Sequence, residues 1–234
     1  MDELLIFTLG SILGSFTSCL AIRRLRGESI IRGRSHCDSC QRLLKPYELI
    51  PIFSYILIKG RCRCGVKIGL EVFLSEVLSA IVLLALYIRM GLSYSLALHA
   101  LLYFLLLKIS LSDFYAYRIL DRDLMFILIL SLLGLIYRAY IGQLSLVLLG
   151  VQIVLFGLGL WQERSKKVIV GEGDLYLLAG LLSFLRPIEA LYLLGLSSWL
   201  AIIPALYLKF KGKSYVFMAP FISLAFIIIK IIYP

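Results

Sequence analysis

Long apolar stretches with almost no charge constrain this chain more than any other feature of its sequence. A helix needs roughly 17 to 25 apolar residues to cross the hydrocarbon core of a bilayer, and several stretches have that length. Hydrophobic residues make up 61% of the chain, against about 45–50% in soluble domains. Because a backbone in lipid must satisfy its own hydrogen bonds, the sequence predicts an all-α polytopic membrane protein. Eight spans are predicted, at 4–22, 72–88, 94–111, 124–137, 144–161, 168–185, 188–208 and 215–229.

The distribution of Lys and Arg predicts the orientation of these spans. From the first connection to the carboxyl end, the successive segments contain 11, 1, 3, 1, 3, 1, 3 and 1 of the 24 basic residues, when Lys108 near the end of the third span is counted with the connection that follows it. Short loops rich in Lys and Arg stay on the cytoplasmic side, so we expect a cytoplasmic-membrane protein with its amino terminus outside and loop 23–71 inside. The net charge of +10 is then explained by topology and by attraction to membrane lipid, and it predicts no nucleic-acid partner.

The first connection is too long for a simple loop and contains most of the basic residues. We therefore expect a small cytoplasmic module at 23–71, between a first transmembrane helix at 1–22 and a larger transmembrane domain at 72–234. A module of this size has little core of its own, so a bound metal ion would stabilise it.

Four of the five cysteines lie in this module, as two close pairs, Cys37 with Cys40 and Cys62 with Cys64. Two such pairs separated by 21 residues are typical of tetrahedral thiolate coordination of zinc. The alternative is a set of free thiols, which the reducing cytoplasm would maintain. The second pair is one residue closer than the usual C-x-x-C spacing, which strains a shared tetrahedral site.

An ionised carboxylate at membrane depth costs about 2.5–3.5 kcal/mol, so an acidic residue there needs a reason. The candidates are Glu76, Asp113 and Asp174. Charge counting places Asp113 at the cytoplasmic margin of the third span, and Asp174 roughly 10 Å from the cytoplasmic end of the sixth. Gly171 and Gly173 precede Asp174, and because glycine has no Cβ we expect them to let a peptide or water approach its carboxylate.

Two carboxyl groups brought together cannot both be ionised cheaply, so one keeps its proton while the other can accept one from water. This is the chemistry of an aspartic peptidase, in which a general base activates water and an acid stabilises the oxyanion. The alternative from the residues alone is that Asp113 and Asp174 cap helix ends at the membrane interface.

The ordered set of these residues resembles the type IV prepilin peptidase family, whose members are intramembrane aspartic peptidases with a GxGD motif. The resemblance covers nearly the whole chain. It departs from the family pattern at Leu120, Tyr176, Ala219 and the shortened second cysteine pair. The matching elements are Gly14-Ser15-Phe16, Arg24, Cys37, Cys40, Glu48-Leu49-Ile50-Pro51, Ser54-Tyr55, Gly60-Arg61-Cys62, Glu76, Asp113, Ile119 to Asp121, the GxGD at 171–174 and Phe217-Met218-Ala219-Pro220-Phe221.

The resemblance implies that Asp113 and Asp174 are the catalytic pair, with Gly171, Gly173 and Glu76 in support. The implied substrate is a prepilin or pseudopilin precursor, cut on the cytoplasmic side between a basic leader ending in Gly and a hydrophobic helix. Such precursors serve pili, protein secretion or competence. Members often methylate the new amino terminus, which implies S-adenosylmethionine as a cofactor, although the chain contains no G-x-G-x-x-G loop.

Two other classes of function compete with a peptidase. A proton-coupled transporter would use Glu76, Asp113 and Asp174 as a proton relay. Transporters of that kind usually have two related halves, and the basic insert after the first span has no counterpart in the second half. A structural membrane anchor would use its zinc module to bind a partner, and both Asp residues would be dispensable.

Overall fold

The computed structural model of this protein describes residues 1–29, 35–37, 39–165, 171–211 and 217–233. Regular structure in these ranges is helical, apart from two isolated β-bridges in the cysteine module, so the all-α prediction is confirmed. The helices are α1 (Asp2–Leu25), α2 (Phe53–Leu57), α3 (Leu70–Met90), α4 (Tyr94–Ala116), α5 (Asp121–Tyr140), α6 (Leu146–Ser165), α7 (Glu172–Leu182), α8 (Pro187–Phe210) and α9 (Ala219–Ile232), with a 3₁₀ turn at Pro46–Leu49.

Six of the described helices are long and apolar enough to cross a membrane, namely α1, α3, α4, α5, α6 and α8. The sixth and eighth predicted spans correspond to the shorter helices α7, of 11 residues, and α9, of 14 residues. At about 1.5 Å per residue, α7 is about 16 Å long, roughly half of the hydrocarbon core. Residues 168–170 and 215–216 of these two predicted spans lie outside the described residues. The predicted orientation is not tested by these observations and stays a prediction.

The chain divides into two compact units, Met1–Lys108 and Ile109–Pro234. In the first unit, small residues allow α1 and α3 to pack closely. A Cβ atom at Gly14 of α1 would lie 2.5 Å from the Ser79 hydroxyl oxygen of α3, so only glycine fits there. The hydroxyls of Ser18 and Ser75 hydrogen-bond across the same contact. Small residues spaced four apart are a common means of bringing membrane helices together.

In the second unit, α7 packs against α5, α6 and α9. Gly159 of α6 makes room for the ring of Tyr176, and Gly180 of α7 makes room for Ile127 of α5. The Gln152 side chain of α6 donates a hydrogen bond of 2.8 Å to the Ala179 carbonyl. Because these contacts surround α7, they hold its first turn, and hence Asp174, in a defined position.

A buried ion pair joins α8 to α9. The Lys230 ammonium of α9 lies 2.9 Å from the Glu189 carboxylate of α8, and both side chains are buried. Glu189 also accepts a hydrogen bond from the Arg186 backbone N–H, while Pro187 begins α8. This combination of proline and an acidic residue in the first turn is favourable for a helix start. The ion pair anchors the carboxyl-terminal half of α9, whose other end contacts Asp113.

Candidate active site and cysteine cluster

Asp113 lies at the end of α4, four residues before Tyr117, and its side chain is buried. Its Oδ2 accepts a hydrogen bond of 3.1 Å from the backbone N–H of Ala219, the first residue of α9. The first N–H groups of a helix have no partner within it and attract negative charge. The amino end of α9 therefore binds and orients the Asp113 carboxylate.

Asp174 lies in the first turn of α7, where the chain has just passed Gly171 and Gly173. A Cβ atom at Gly171 would lie 2.6 Å from the Asp174 Oδ2, so the missing side chain leaves the space that the carboxylate uses. Gly173 packs against Ile119, where an added Cβ would lie 3.1 Å from the Ile119 side chain. The two glycines therefore allow close contacts within the site. Their predicted role in admitting peptide or water stays a prediction.

The second unit contains both carboxyl groups, and they lie close enough for the charge of Asp113 to act on Asp174. The two residues are 61 positions apart, and α4, α7 and α9 bring them to one place through the Asp113–Ala219 hydrogen bond and the packing of α7. Asp113 is buried and Asp174 is half-buried. Neighbouring carboxyl groups in such a setting share protons readily, which suits general acid and base chemistry.

Aromatic residues around Asp113 form a feature that the sequence analysis missed. The ring centroids of Phe114 and Phe217 are 5.3 Å apart, and those of Tyr117 and Phe217 are 6.2 Å apart. The sequence contains a signal for this group, because two aromatic-rich segments, 114–117 and 217–221, flank the residues that meet at Asp113.

The four cysteines of the module meet at one point. All four Sγ atoms lie within 4.8 Å of one another, with Cys37 and Cys64 3.8 Å apart and Cys40 and Cys62 4.0 Å apart. Zinc with bonds of about 2.3 Å in a regular tetrahedron separates its sulfur ligands by about 3.8 Å. The cluster could therefore hold a metal ion, and its dimensions are compatible with zinc.

Tight turns present both cysteine pairs to the cluster. The Cys37 carbonyl accepts a hydrogen bond from the Gln41 N–H, and the Cys62 carbonyl accepts one from the Gly65 N–H, both shorter than 3 Å. Gly65 has a φ of +89°, a left-handed conformation that glycine adopts at no steric cost. The shortened second pair thus reaches the cluster because the chain turns immediately after it.

The surroundings of the cluster favour a thiolate at Cys62, whereas burial and the neighbouring sulfur atoms raise the pKa of the Cys64 thiol to about 11. A hydrogen bond from the Cys64 backbone N–H is the largest of the effects that lower the pKa of the Cys62 thiol to about 6. The Arg42 guanidinium lies 3.9 Å from the same sulfur and also binds the Glu48 carboxylate at 2.8 Å. That hydrogen bond from Arg42 is the main cause of the lowered pKa of Glu48, about 2. A site rich in donors and positive charge is suited to deprotonated sulfur ligands.

Glu76 belongs to the first unit, and its observed partners are there. Its Oε2 accepts a hydrogen bond of 2.7 Å from the Ile52 backbone N–H, and the Ser15 hydroxyl also binds the carboxylate. Ile52 has a φ of +64°, which is rare for a β-branched residue. Glu76 therefore holds a strained turn of the module against α1 and α3, and its supporting role in catalysis stays a prediction.

The first unit also contains a cavity of about 250 Å³ bounded by α1, the module and α3. Glu48 and Glu76 supply carboxylates to its lining, and Arg23 supplies a positive charge. Tyr55 and Phe73, which also line it, stack with ring centroids 4.6 Å apart. A cavity with an aromatic wall and a few charged groups is typical of small-molecule sites.

Comparison with known proteins places these features in context. Residues 8–90 match the family model of the bacterial peptidase A24 N-terminal domain. The prepilin leader peptidase/N-methyltransferase of Bacillus subtilis is 37% identical over 125 residues, which are 53% of this chain and 50% of that protein. The protein of the same name from Myxococcus xanthus is 36% identical over 109 residues, 46% of this chain and 32% of that protein. The resemblance to the prepilin peptidase family is confirmed.

A further relative is the type 4 prepilin-like proteins leader peptide-processing enzyme of Escherichia coli, 40% identical over 57 residues, 24% of this chain and 21% of that protein. The chain spans about half the length, or less, of these curated relatives of the prepilin peptidase family. No solved structure matches the chain.

Proposed function

We propose that this protein is an intramembrane aspartic endopeptidase that removes the basic leader from prepilin or pseudopilin precursors. The observation that carries the proposal is the proximity of Asp113 and Asp174 in the second unit, close enough for the charge of one to act on the other, with the amino end of α9 bound to Asp113. Capping of separate helix ends would not require the two carboxyl groups to lie near each other. The names of the relatives support prepilin as the class of substrate.

The catalytic step uses one carboxyl group as a base and the other as an acid. The ionised member takes a proton from a water molecule, and the resulting hydroxide attacks the carbonyl carbon of the scissile peptide bond. The protonated member donates to the carbonyl oxygen as it gains charge. Collapse of the tetrahedral intermediate releases the leader and the new amino terminus, and no covalent intermediate with the enzyme forms.

The substrate's own chemistry agrees with the proposed site. A basic leader stays in the cytoplasm beside anionic lipid, whereas the hydrophobic helix that follows it stays in the bilayer. The scissile bond then lies at the membrane margin, and the charge distribution of this chain predicts the same position for Asp113 and Asp174.

We also propose zinc as the structural metal of the module, bound by Cys37, Cys40, Cys62 and Cys64. Its donor set, four sulfur atoms within 4.8 Å of one another, fits a closed tetrahedral site, which leaves no open position for chemistry. Zinc in this role would join the two halves of the module and add to its stability.

A second proposed activity is methylation of the new amino terminus with S-adenosylmethionine. The cavity of the first unit favours it, because Glu76 could bind a cationic methyl donor and the stacked Tyr55 and Phe73 offer a wall for an aromatic base. Mass spectrometry of the processed substrate would detect the added methyl group at its amino terminus. A product that is cleaved but remains unmethylated in the presence of S-adenosylmethionine would refute this activity.

The peptidase proposal is tested by Asp113→Asn and Asp174→Asn, assayed for leader removal from a purified pilin-like precursor in detergent. Because general acid or base catalysis contributes about 10²–10⁴-fold, each variant should lose at least about 100-fold in rate. Glu163→Gln is the matched control, since it removes an exposed carboxylate from α6 of the same unit and should leave cleavage unchanged. Full cleavage by either Asn variant would refute the assignment, and the transporter and anchor hypotheses would return.

A further inference from the structure

Five aromatic side chains, which we call the aromatic cluster, meet where α4 ends and α9 begins. Phe217 is its central member, with ring centroids 5.3 Å from Phe114 and 5.7 Å from Phe221. Tyr115 and Tyr117 complete the group through ring contacts with Phe114 and Phe217. Aromatic pairs prefer offset-stacked or edge-to-face arrangements, and the ring pairs of this cluster adopt both.

Members of the cluster lie in the two chain segments that hold the Asp113 carboxylate. Phe114 follows Asp113 directly, and Phe217 lies two residues before Ala219, whose N–H binds the Asp113 Oδ2. The same few residues therefore hold the carboxylate and form the aromatic surface. A peptide bond held at Asp113 would place the next residue of the substrate one Cα step of about 3.8 Å away, within reach of these rings.

Backbone strain at Tyr117 helps to form the cluster. Tyr117 has a φ of +51°, a conformation in which a bulky side chain is a genuine outlier. Its N–H donates a hydrogen bond of 2.8 Å to the Asp113 carbonyl, which turns the chain sharply and directs the Tyr117 ring toward Phe217. Strain of this kind persists when surrounding structure maintains it, and it occurs often at functional sites.

The cluster is also accessible. Phe114 and Tyr117 retain 45% and 43% of their exposure, and Phe217 and Phe221 are half-buried. Aromatic residues at a membrane interface commonly contact lipid singly around the perimeter of a protein. Here the rings instead contact one another, and they belong to the two segments that meet at the buried Asp113 carboxylate.

We propose that the aromatic cluster is the specificity subsite for the substrate residue on the helix side of the scissile bond, and that it accepts a large apolar side chain there. The inference rests on the proposed peptidase function. An apolar occupant fits because the rings offer apolar area, while the exposed Arg118 next to Tyr117 would repel the basic leader. The leader must then lie on the other side of the carboxyl pair.

A substrate series tests the subsite. Pilin-like precursors with Phe, Leu or Ala immediately after the scissile bond are cleaved by wild type, Phe217→Ala and Phe114→Ala. We expect wild type to prefer the large residues, and each variant to lower kcat/KM about tenfold for Phe and Leu but less than about threefold for Ala. Phe210→Ala, a highly exposed aromatic residue of α8, is the matched control and should change none of these ratios. Equal losses for all substrates would overturn the subsite and indicate a lipid-contact or structural role.

Photocrosslinking tests the same surface without cleavage. The photoreactive p-benzoylphenylalanine replaces Phe217, or Phe210 as the control, in an Asp174→Asn background that leaves the contact between Asp113 and Ala219 unchanged. Irradiation with the intact precursor should link position 217, and not 210, to the first residues of the substrate's hydrophobic helix. Linkage to the leader, or no difference between the two positions, would overturn the proposal. If the wild-type protein does not cleave the precursor, whereas the Asp174→Asn protein crosslinks to it as expected, the peptidase function is refuted and the binding surface is supported.

Discussion

Gly171 provides a direct test of the geometry around Asp174. A Cβ atom introduced by Gly171→Ala would lie 2.6 Å from the Asp174 Oδ2. Ordinary contacts of a Cβ atom begin at 3.4 Å, so the carboxylate oxygen must move by about 0.8 Å. The moving group is the end of a flexible side chain, and the φ of Gly171 is −54°, which alanine adopts without strain. The substitution should therefore leave folding intact while it displaces the carboxylate.

The expected loss of activity follows from that displacement. Catalytic groups need positions accurate to within about 0.5 Å, and a misplacement of about 1 Å can cost about 100-fold in rate. We therefore expect Gly171→Ala to lower kcat for leader removal by about 10-fold to 100-fold. Gly173→Ala should have a smaller effect, because its Cβ would lie 3.1 Å from Ile119 and the two side chains need to separate by only a few tenths of an ångström.

The assay is leader removal from a pilin-like precursor in detergent, combined with thermal unfolding of each variant. Gly150→Ala and Gly195→Ala are matched controls, because no atom lies within 4 Å of a Cβ at either position. Both controls should keep full activity and gain slightly in stability, since alanine is a better helix former than glycine. A folded Gly171→Ala protein with the kcat of wild type would refute the proposed position of the Asp174 carboxylate.

Three further predictions concern other groups. Glu189→Gln leaves the buried Lys230 ammonium without its carboxylate partner. The free energy of unfolding should therefore fall by about 3–5 kcal/mol, and Tm by about 6–20 °C. The double variant Glu189→Gln/Lys230→Met should recover most of this loss. The Glu48 pKa falls from 4.5 to about 2 on folding. The ionised carboxylate therefore stabilises the module above pH 4.5, and this stabilisation is lost as the pH falls toward 2. Amide hydrogen exchange in the module should accelerate over that pH range in wild type but much less in Glu48→Gln. Metal analysis should find one zinc ion per chain. Cys62→Ser should lose this zinc, and proteases should then cut its module faster than that of wild type. Metal-free wild-type protein with an intact module would contradict the zinc site.

The apolar pattern of the sequence predicted most of the membrane helices but overestimated the length of two. Six predicted spans correspond to helices long enough to cross a membrane, whereas α7 and α9 are short among the residues described. Hydropathy measures composition, and composition does not show where a helix must begin. Gly171 at the start of α7 and Pro187 after its end limit that helix, and Pro220 lies in the first turn of α9.

The cysteine module could be predicted from spacing alone as far as its four ligands. The short spacing of Cys62 and Cys64 argued against a shared tetrahedral site. Spacing alone does not show how the chain turns after the second cysteine. In the structure, the turn at Gly65 brings both sulfur atoms to the cluster. The structure gives Glu76 two observed partners, Ser15 and the strained turn at Ile52, and its predicted supporting role in catalysis stays a prediction.

By itself, the sequence determined the solvent of this protein and a short set of candidate residues for chemistry in it. Apolar composition required helices, and the cost of charge in lipid drew attention to Glu76, Asp113 and Asp174. Only the tertiary structure decided that the carboxyl groups of Asp113 and Asp174 lie close enough for one charge to act on the other, that α9 binds Asp113, and that aromatic rings from both ends of this contact pack together. Residues 61 or 106 positions apart have no local signal for contact, because the packing of α7 and the docking of α9 depend on side-chain shapes summed over several helices.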